Sequence, residues 1–175
     1  KKPKLLQIMK NLKNFLPQLL ERCLAIMAFY FPFIEVSAYF GPKVFLSTDS
    51  VALRTFYAQH ILKLSNFYAD NNLLIFIFMI WVFISCSRGT FPLTKYARFN
   101  IIQAILLNII CTCLGLSFAF LPALLRESLF GVVFANFLYL GIILLIAYSS
   151  LLIIYGRYPK IPVISEAAKL QVQQG

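Results

Sequence analysis

"LFGVVFANFLYLGIILLIAYSSLLIIY", residues 129–155, carries no charged side chain and exceeds the roughly 17 to 25 apolar residues that a helix needs to cross bilayer hydrocarbon. An apolar run of this length predicts a transmembrane helix rather than a buried strand or the core helix of a soluble domain. Working outward from it, three more apolar blocks come into view: Phe99 to Leu121, Leu73 to Ser87, and Leu19 to Phe40, the last with Pro32 and Glu35 inside it. The strict alternation of a membrane β-barrel is absent.

Over the 175 residues, 61% are hydrophobic and only 13% charged, a balance that leaves too little charge to coat a soluble domain of this size. The predicted fold is therefore an all-α integral membrane protein with four transmembrane helices. The expected organisation is a basic N-terminal segment over 1–18, a four-helix transmembrane domain over 19–157 and an inward-facing tail over 158–175. The chain starts at Lys1 without a methionine, and its first long hydrophobic block reads as a span and not as the short apolar region of a signal peptide. A truncated or processed start is expected. No internal repeat is visible.

Lysine and arginine set the orientation. On an alternating four-span path one side holds Lys1, Lys2, Lys4, Lys10, Lys13, Arg22, Arg88, Lys95, Arg98, Arg157, Lys160 and Lys169. The other holds only Lys43, Arg54, Lys63 and Arg126. The positive-inside rule then puts both termini on the side from which the protein is inserted, cytosol-like or stroma-like. The net charge of +10 is accounted for by residues that flank spans and attract anionic lipid, and no nucleic-acid motif accompanies it.

Between the first two spans, "STDSVALRTFYAQHILKLSNFY" opens on Ser, Thr and Asp suited to an N-cap. It then places Leu53, Phe56, Tyr57, His60, Ile61, Leu64, Phe67 and Tyr68 at helical intervals. Arg54, Thr55, Gln59, Lys63, Ser65 and Asn66 are assigned to the other side. This predicts an amphipathic helix lying in the membrane interface; a partner-binding helix is the alternative.

Candidates for chemistry are few. His60 is the sole histidine, and Cys23, Cys86, Cys111 and Cys113 form no CxxC pair, so four reduced, buried thiols are expected. Neither a phosphate-binding glycine loop nor a nucleophile motif is present. No enzyme activity, metal or cofactor is expected.

What remains is polarity inside the spans, where a desolvated amide or carboxylate is costly and faces protein or water rather than lipid. On the third span a helical wheel aligns Asn100, Ala104, Asn108, Cys111, Gly115 and Ala119, with Gln103 beside them and Ile102, Ile105, Ile109 and Leu116 opposite. Two readings of this stripe stand: a close-packing face with amides hydrogen-bonded across it, or the lining of a hydrophilic path. Glu35, beyond the Pro32 kink, either reaches the interface, accepts hydrogen bonds from a neighbouring helix, or takes part in proton coupling. In the tail, Pro159 and Pro162 end the fourth helix. Ser165 is placed as the N-cap of a short helix with Glu166 in its first turn, and residues 159–172 are expected to dock on the inward membrane face.

Two stretches carry a family resemblance. "SRGTFPLTKYARFNIIQAILLNII", with Arg98, Phe99, Asn100 and Gln103 in an "RFN..QA" core, and "YGRYPKIPVISEAAKLQV", containing Pro162, Ser165 and Glu166, resemble the Tic-twenty family. Arg22 and Pro32 fit the same pattern more loosely. That family is the small four-span component of the protein-import translocon in the chloroplast inner envelope, with relatives in cyanobacteria. The resemblance implies a subunit that helps preproteins cross that membrane, with both termini facing the stroma. Its implied partners are other translocon subunits in a hetero-oligomer, preproteins in transit and membrane lipids, with no nucleic acid. A small-solute or ion transporter, for which Glu35 and the amide stripe speak, and a structural assembly subunit are the alternatives.

Overall fold

The computed structural model describes residues 17–173, so the expectations for Lys1, Lys2, Lys4, Lys10 and Lys13 lie outside the described residues. Helix α1 occupies 17–28 and α2 follows over Tyr30–Tyr39. The two are separated at Phe29, whose amide bonds to Ile26 in a tightened turn at 3.0 Å. Pro32 explains the position of the break, because its ring lacks an N–H and collides with the carbonyl four residues back, that of Ala28. The predicted first span is thus two helical segments and not one rod.

A short α3, Gly41–Leu46, leads to the segment between residues 51 and 70. Ser50 caps α4, Val51–Phe56, accepting from the Leu53 amide, one residue past the Ser47, Thr48 and Asp49 that the sequence offers for a cap. The chain then passes through a π turn, Tyr57–Ile61, into α5, Leu62–Asp70. The wide turn shifts the helical register, which corrects the predicted apolar face. Tyr57, Ile61, Ser65 and Tyr68 are buried, whereas Leu53, Phe56 and Phe67 are exposed. At Asn71 the chain bends by 80° into α6, Asn72–Arg88.

Two long helices follow. Helix α7 runs over Lys95–Ala119, capped by Thr94. After a turn through α8, Ala123–Arg126, α9 runs over Leu129–Ile154, capped by Ser128. With 25 and 26 residues, each is about 38 Å long at 1.5 Å per residue, enough for the roughly 30 Å of hydrocarbon. Both are long and apolar enough to cross a membrane, and the bent pair 51–70 and 72–88 is a third candidate if taken as one broken span. The sequence predicts four. Among the described residues the fold is all-helical.

Helix α7 is the central element: it packs against α2, α6 and the last helix, α10, Ile164–Gln173. One apolar core joins Phe29, Val36 and Phe40 to Leu107, Cys111, Tyr139 and Ile142; a second joins Cys86 to Phe99, Ile102, Ala168 and Val172. Within their most apolar stretches α7 is 56% buried and α9 only 22%. The uncovered side of α9, with Phe137, Leu140, Leu144 and Leu151, suits lipid.

Candidate functional site

The polar residues gather in two places. The first is the end of the bundle where residues 21–22, 86–98 and 153–165 meet. Arg98, predicted simply to mark the basic end of a span, is 6% exposed and does something more specific. Its Nε donates to the Cys86 carbonyl at 2.6 Å and its Nη2 to the Ser87 carbonyl at 2.9 Å. These are last-turn carbonyls of α6, which have no amide partner within the helix, and a cation there also complements the helix dipole. Gly89, at φ +70°, turns the chain away beneath the guanidinium.

The same device recurs on α9. Arg22 Nη1 donates to the Ile154 carbonyl at 3.0 Å beside Gly156, at φ +72°. Its neighbour Glu21 works at the opposite kind of helix end, accepting from the Thr94 amide at 3.1 Å and from the Thr94 hydroxyl, where α7 begins. A carboxylate is favoured at that N-terminus for the same electrostatic reason. Adjacent residues of α1 thus tie down the start of α7 and the end of α9. The Tyr96 hydroxyl adds a link, 3.2 Å from the carbonyls of both Ile153 and Arg157.

The tail closes this end. The hydroxyl of Ser165 accepts from the Ile161 amide at 2.7 Å, donates to the Pro159 carbonyl at 3.3 Å and receives Gln103 Nε2 at 2.6 Å. One donor and two lone pairs are thereby all used. This corrects the predicted N-cap role: α10 starts at Ile164, after Val163 at φ +66°, and the Ser165 side chain is buried against α7. Pro162 and Glu166 are exposed. Phe99 is buried, its ring edge-to-face with Tyr158 at 5.2 Å.

The second gathering lies deeper. Glu35 is 2% exposed, and its Oε1 accepts from the Thr112 hydroxyl of α7 at 2.6 Å. Of the three readings, hydrogen bonding to a neighbouring helix is the arrangement seen. Tyr68 of α5 lies beside both Glu35 and Asn108. Asn100 Nδ2 donates to the Tyr96 carbonyl at 2.8 Å. The side-chain oxygens of Asn100, Gln103 and Asn108 are buried without a partner among the described residues.

The predicted stripe therefore holds for Asn100, Gln103, Ala104, Asn108, Cys111 and Gly115, while Ala119 is exposed. On its opposite side Ile109 and Leu116 are exposed, whereas Ile102 and Ile105 are buried, because α6 and α10 cover that side. Two of the four free thiols, Cys23 and Cys113, are exposed and not buried. Glu21, Thr94, Gly89 and Thr112 were missed. A glycine after a basic helix end and a threonine three residues before Ala97 were the signals present in the sequence.

Outside the spans, the Lys43 hydrogen bond, with Arg126 alongside, holds the Glu127 carboxyl below its ordinary value. This pair joins α3 to the start of α9 at the bundle end opposite Arg22 and Arg98.

A family model described as the chloroplast import apparatus, Tic20-like, matches residues 6–168. The Tic20 family protein Ycf60 of Gracilaria tenuistipitata var. liui is 31% identical over 157 residues, covering 88% of this chain and 76% of the relative. Its counterpart in Porphyra purpurea is 31% identical over 153 residues, 86% of this chain and 75% of the relative. A Tic20 family protein of the cyanobacterium Synechocystis sp. is 29% identical over 159 residues, 87% of this chain and 93% of the relative. The match spans the polar bundle end, the amide stripe and the first half of α10, and the chain belongs to the Tic20 family.

Proposed function

We propose that this protein is a non-enzymatic subunit of the preprotein-import translocon of the plastid inner envelope, working in a hetero-oligomer. The observation that carries the reading is the family match over residues 6–168. In this reading α1–α2, α6, α7 and α9 are four spans, residues 51–70 lie in the far interface, and both termini face the stroma.

The contacts support that path. Residues 21–22 meet the start of α7 and the end of α9, whereas Lys43 meets Glu127 at the start of α9. Helices α1–α2 and α7 therefore run in one direction and α9 in the other, as alternating spans require. The lysine and arginine excess falls on the Arg22–Arg98 end. The side-chain oxygens of Asn100, Gln103 and Asn108, without a partner among the described residues, supply hydrogen-bonding capacity for water enclosed in the bundle.

The test is crosslinking of an arrested preprotein in native membranes. An adduct between the preprotein and this chain is expected. A preprotein that crosslinks to neighbouring subunits but never to this chain, with import unchanged on its depletion, overturns the reading. Tags on both termini should resist protease added from the intermembrane side of sealed vesicles.

A further inference from the structure

We propose that the cleft between the start of α7 and α10 binds one anionic phospholipid, its phosphate held by Lys95 and Lys169 and part of an acyl chain laid on Phe99, Tyr158 and Val172. The cleft has a volume of about 370 Å³ and is lined by those five side chains and Gln173, which places it within the roughly 300–1,000 Å³ usual for a small-molecule site. Three parts of the chain supply its walls: the first turns of α7, the connection after α9, and α10.

Depth and shape come first. Lys95 is the first residue of α7, a helix long enough to project past the hydrocarbon, so its ammonium stands at headgroup level. Phe99 lies one turn further along the helix, about 6 Å deeper at 1.5 Å per residue, where acyl chains begin. The apolar floor is fixed in place: Phe99 and Val172 are buried, and the Tyr158 ring stands edge-to-face with both Phe99, at 5.2 Å, and Tyr96, at 5.0 Å. In the same tail the apolar side chains of Val163 and Leu170 are exposed, which suits a segment lying in the lipid interface rather than in water.

Charge selects the ligand. Lys95 and Lys169 are exposed, and neither pairs with a carboxylate among the described residues. Glu166, one turn before Lys169, does not line the cleft, and Glu21 is taken up by Thr94. Two free ammonium groups above an apolar floor fit a molecule that is anionic at one end and apolar at the other. Basic pockets between membrane helices on the inward side recognise anionic headgroups in this way. A free phosphate would use the lysines and leave the floor idle. The bound lipid would bridge α7 and α10 and so help to hold the tail on the bundle.

The experiment titrates the purified full chain, in non-ionic detergent, with phosphatidylglycerol or phosphatidylcholine of identical acyl chains and counts bound lipid by native mass spectrometry. One phosphatidylglycerol per chain should bind about tenfold more tightly than phosphatidylcholine. Lys95→Gln combined with Lys169→Gln should bring the two lipids to within about twofold of each other. Arg157→Gln combined with Lys160→Gln removes the same charge from exposed positions of the same bundle end outside the cleft, and should leave the preference intact. Equal loss in both pairs would assign the preference to general surface charge and overturns the proposal. Wild-type protein without a preference overturns it too, and makes an acidic segment of a partner subunit the better occupant. Displacement of the lipid by an equal concentration of glycerol 3-phosphate would reveal a bare anion site and likewise overturns it. The wild-type titration and the competition need no variant, so they decide the matter even where a substituted chain does not fold.

Discussion

Arg98 reaches back from the first turn of α7 to the Cys86 carbonyl, 2.6 Å from Nε, and so closes the C-terminus of the preceding helix with a charge that is itself buried. The second bond, from Nη2 to Ser87 at 2.9 Å, depends on the planar fork of the guanidinium. Lysine has the charge but not the fork.

Arg98→Lys should therefore cost about 1–2 kcal/mol, and Arg98→Ala, which leaves two carbonyls bare and a void beside Gly89, about 2–4 kcal/mol. Thermal or SDS-titrated unfolding of the purified protein measures both. Equal stability of the wild type and Arg98→Lys would show that one point charge near the α6 terminus suffices.

Gln103 and Ser165 lie 62 positions apart and are joined at 2.6 Å. Gln103→Leu removes two bonds to the tail, those to Ser165 and Pro159, and Ser165→Ala removes three at once. A double-mutant cycle should show a coupling of about 1–2 kcal/mol. Hydrogen exchange over residues 164–173 should rise in either single variant. Unaltered exchange would mean that the apolar contacts of Ala168 and Val172 hold α10 by themselves.

These two residues mark the limit of what the sequence discloses. The membrane class, the long spans and most of the α7 stripe follow from run length and from side chains spaced along one helix. Arg98's role depends on how the turn after Gly89 folds back, and nothing local says that a carbonyl of α6 will be within reach. Local rules also favour Ser165 as an N-cap, but its hydroxyl is claimed by a helix far away in the chain. The register of the 51–70 segment failed for another reason. One π turn at Tyr57–Ile61 brings Ser65 onto the buried side, and periodicity analysis assumes an unbroken 3.6-residue turn.

Two glycines give a paired test of packing. A Cβ on Gly115 would stand 2.3 Å from the Tyr39 ring, so α2 and α7 approach closely only because that position is bare; a Cβ on Gly141 meets nothing within 4 Å. Gly115→Ala should destabilise by about 1–3 kcal/mol through overpacking. Gly141→Ala should be neutral or stabilising by up to about 1 kcal/mol, since alanine is the better helix former. The comparison is made by unfolding both variants in the same detergent. A tolerated Gly115→Ala would mean that Tyr39 swings aside at little cost.

Removal of residues 159–175 tests the tail as a whole. The apolar helices that drive membrane insertion, α7 and α9 above all, lie outside it, so the truncated chain should still integrate and resist carbonate extraction. What it loses is specific. Ala168 and Val172 no longer cover Phe99 and Ile102, and Gln103 loses its Ser165 and Pro159 partners. An amide and an apolar patch are then bare at the bundle end assigned to the stroma. In the import reading this end meets the preprotein as it leaves the membrane, so import into isolated plastids should slow severalfold while protein levels in the membrane stay equal. If import by the truncated protein matches the full chain under those conditions, α10 serves only to cover the bundle end.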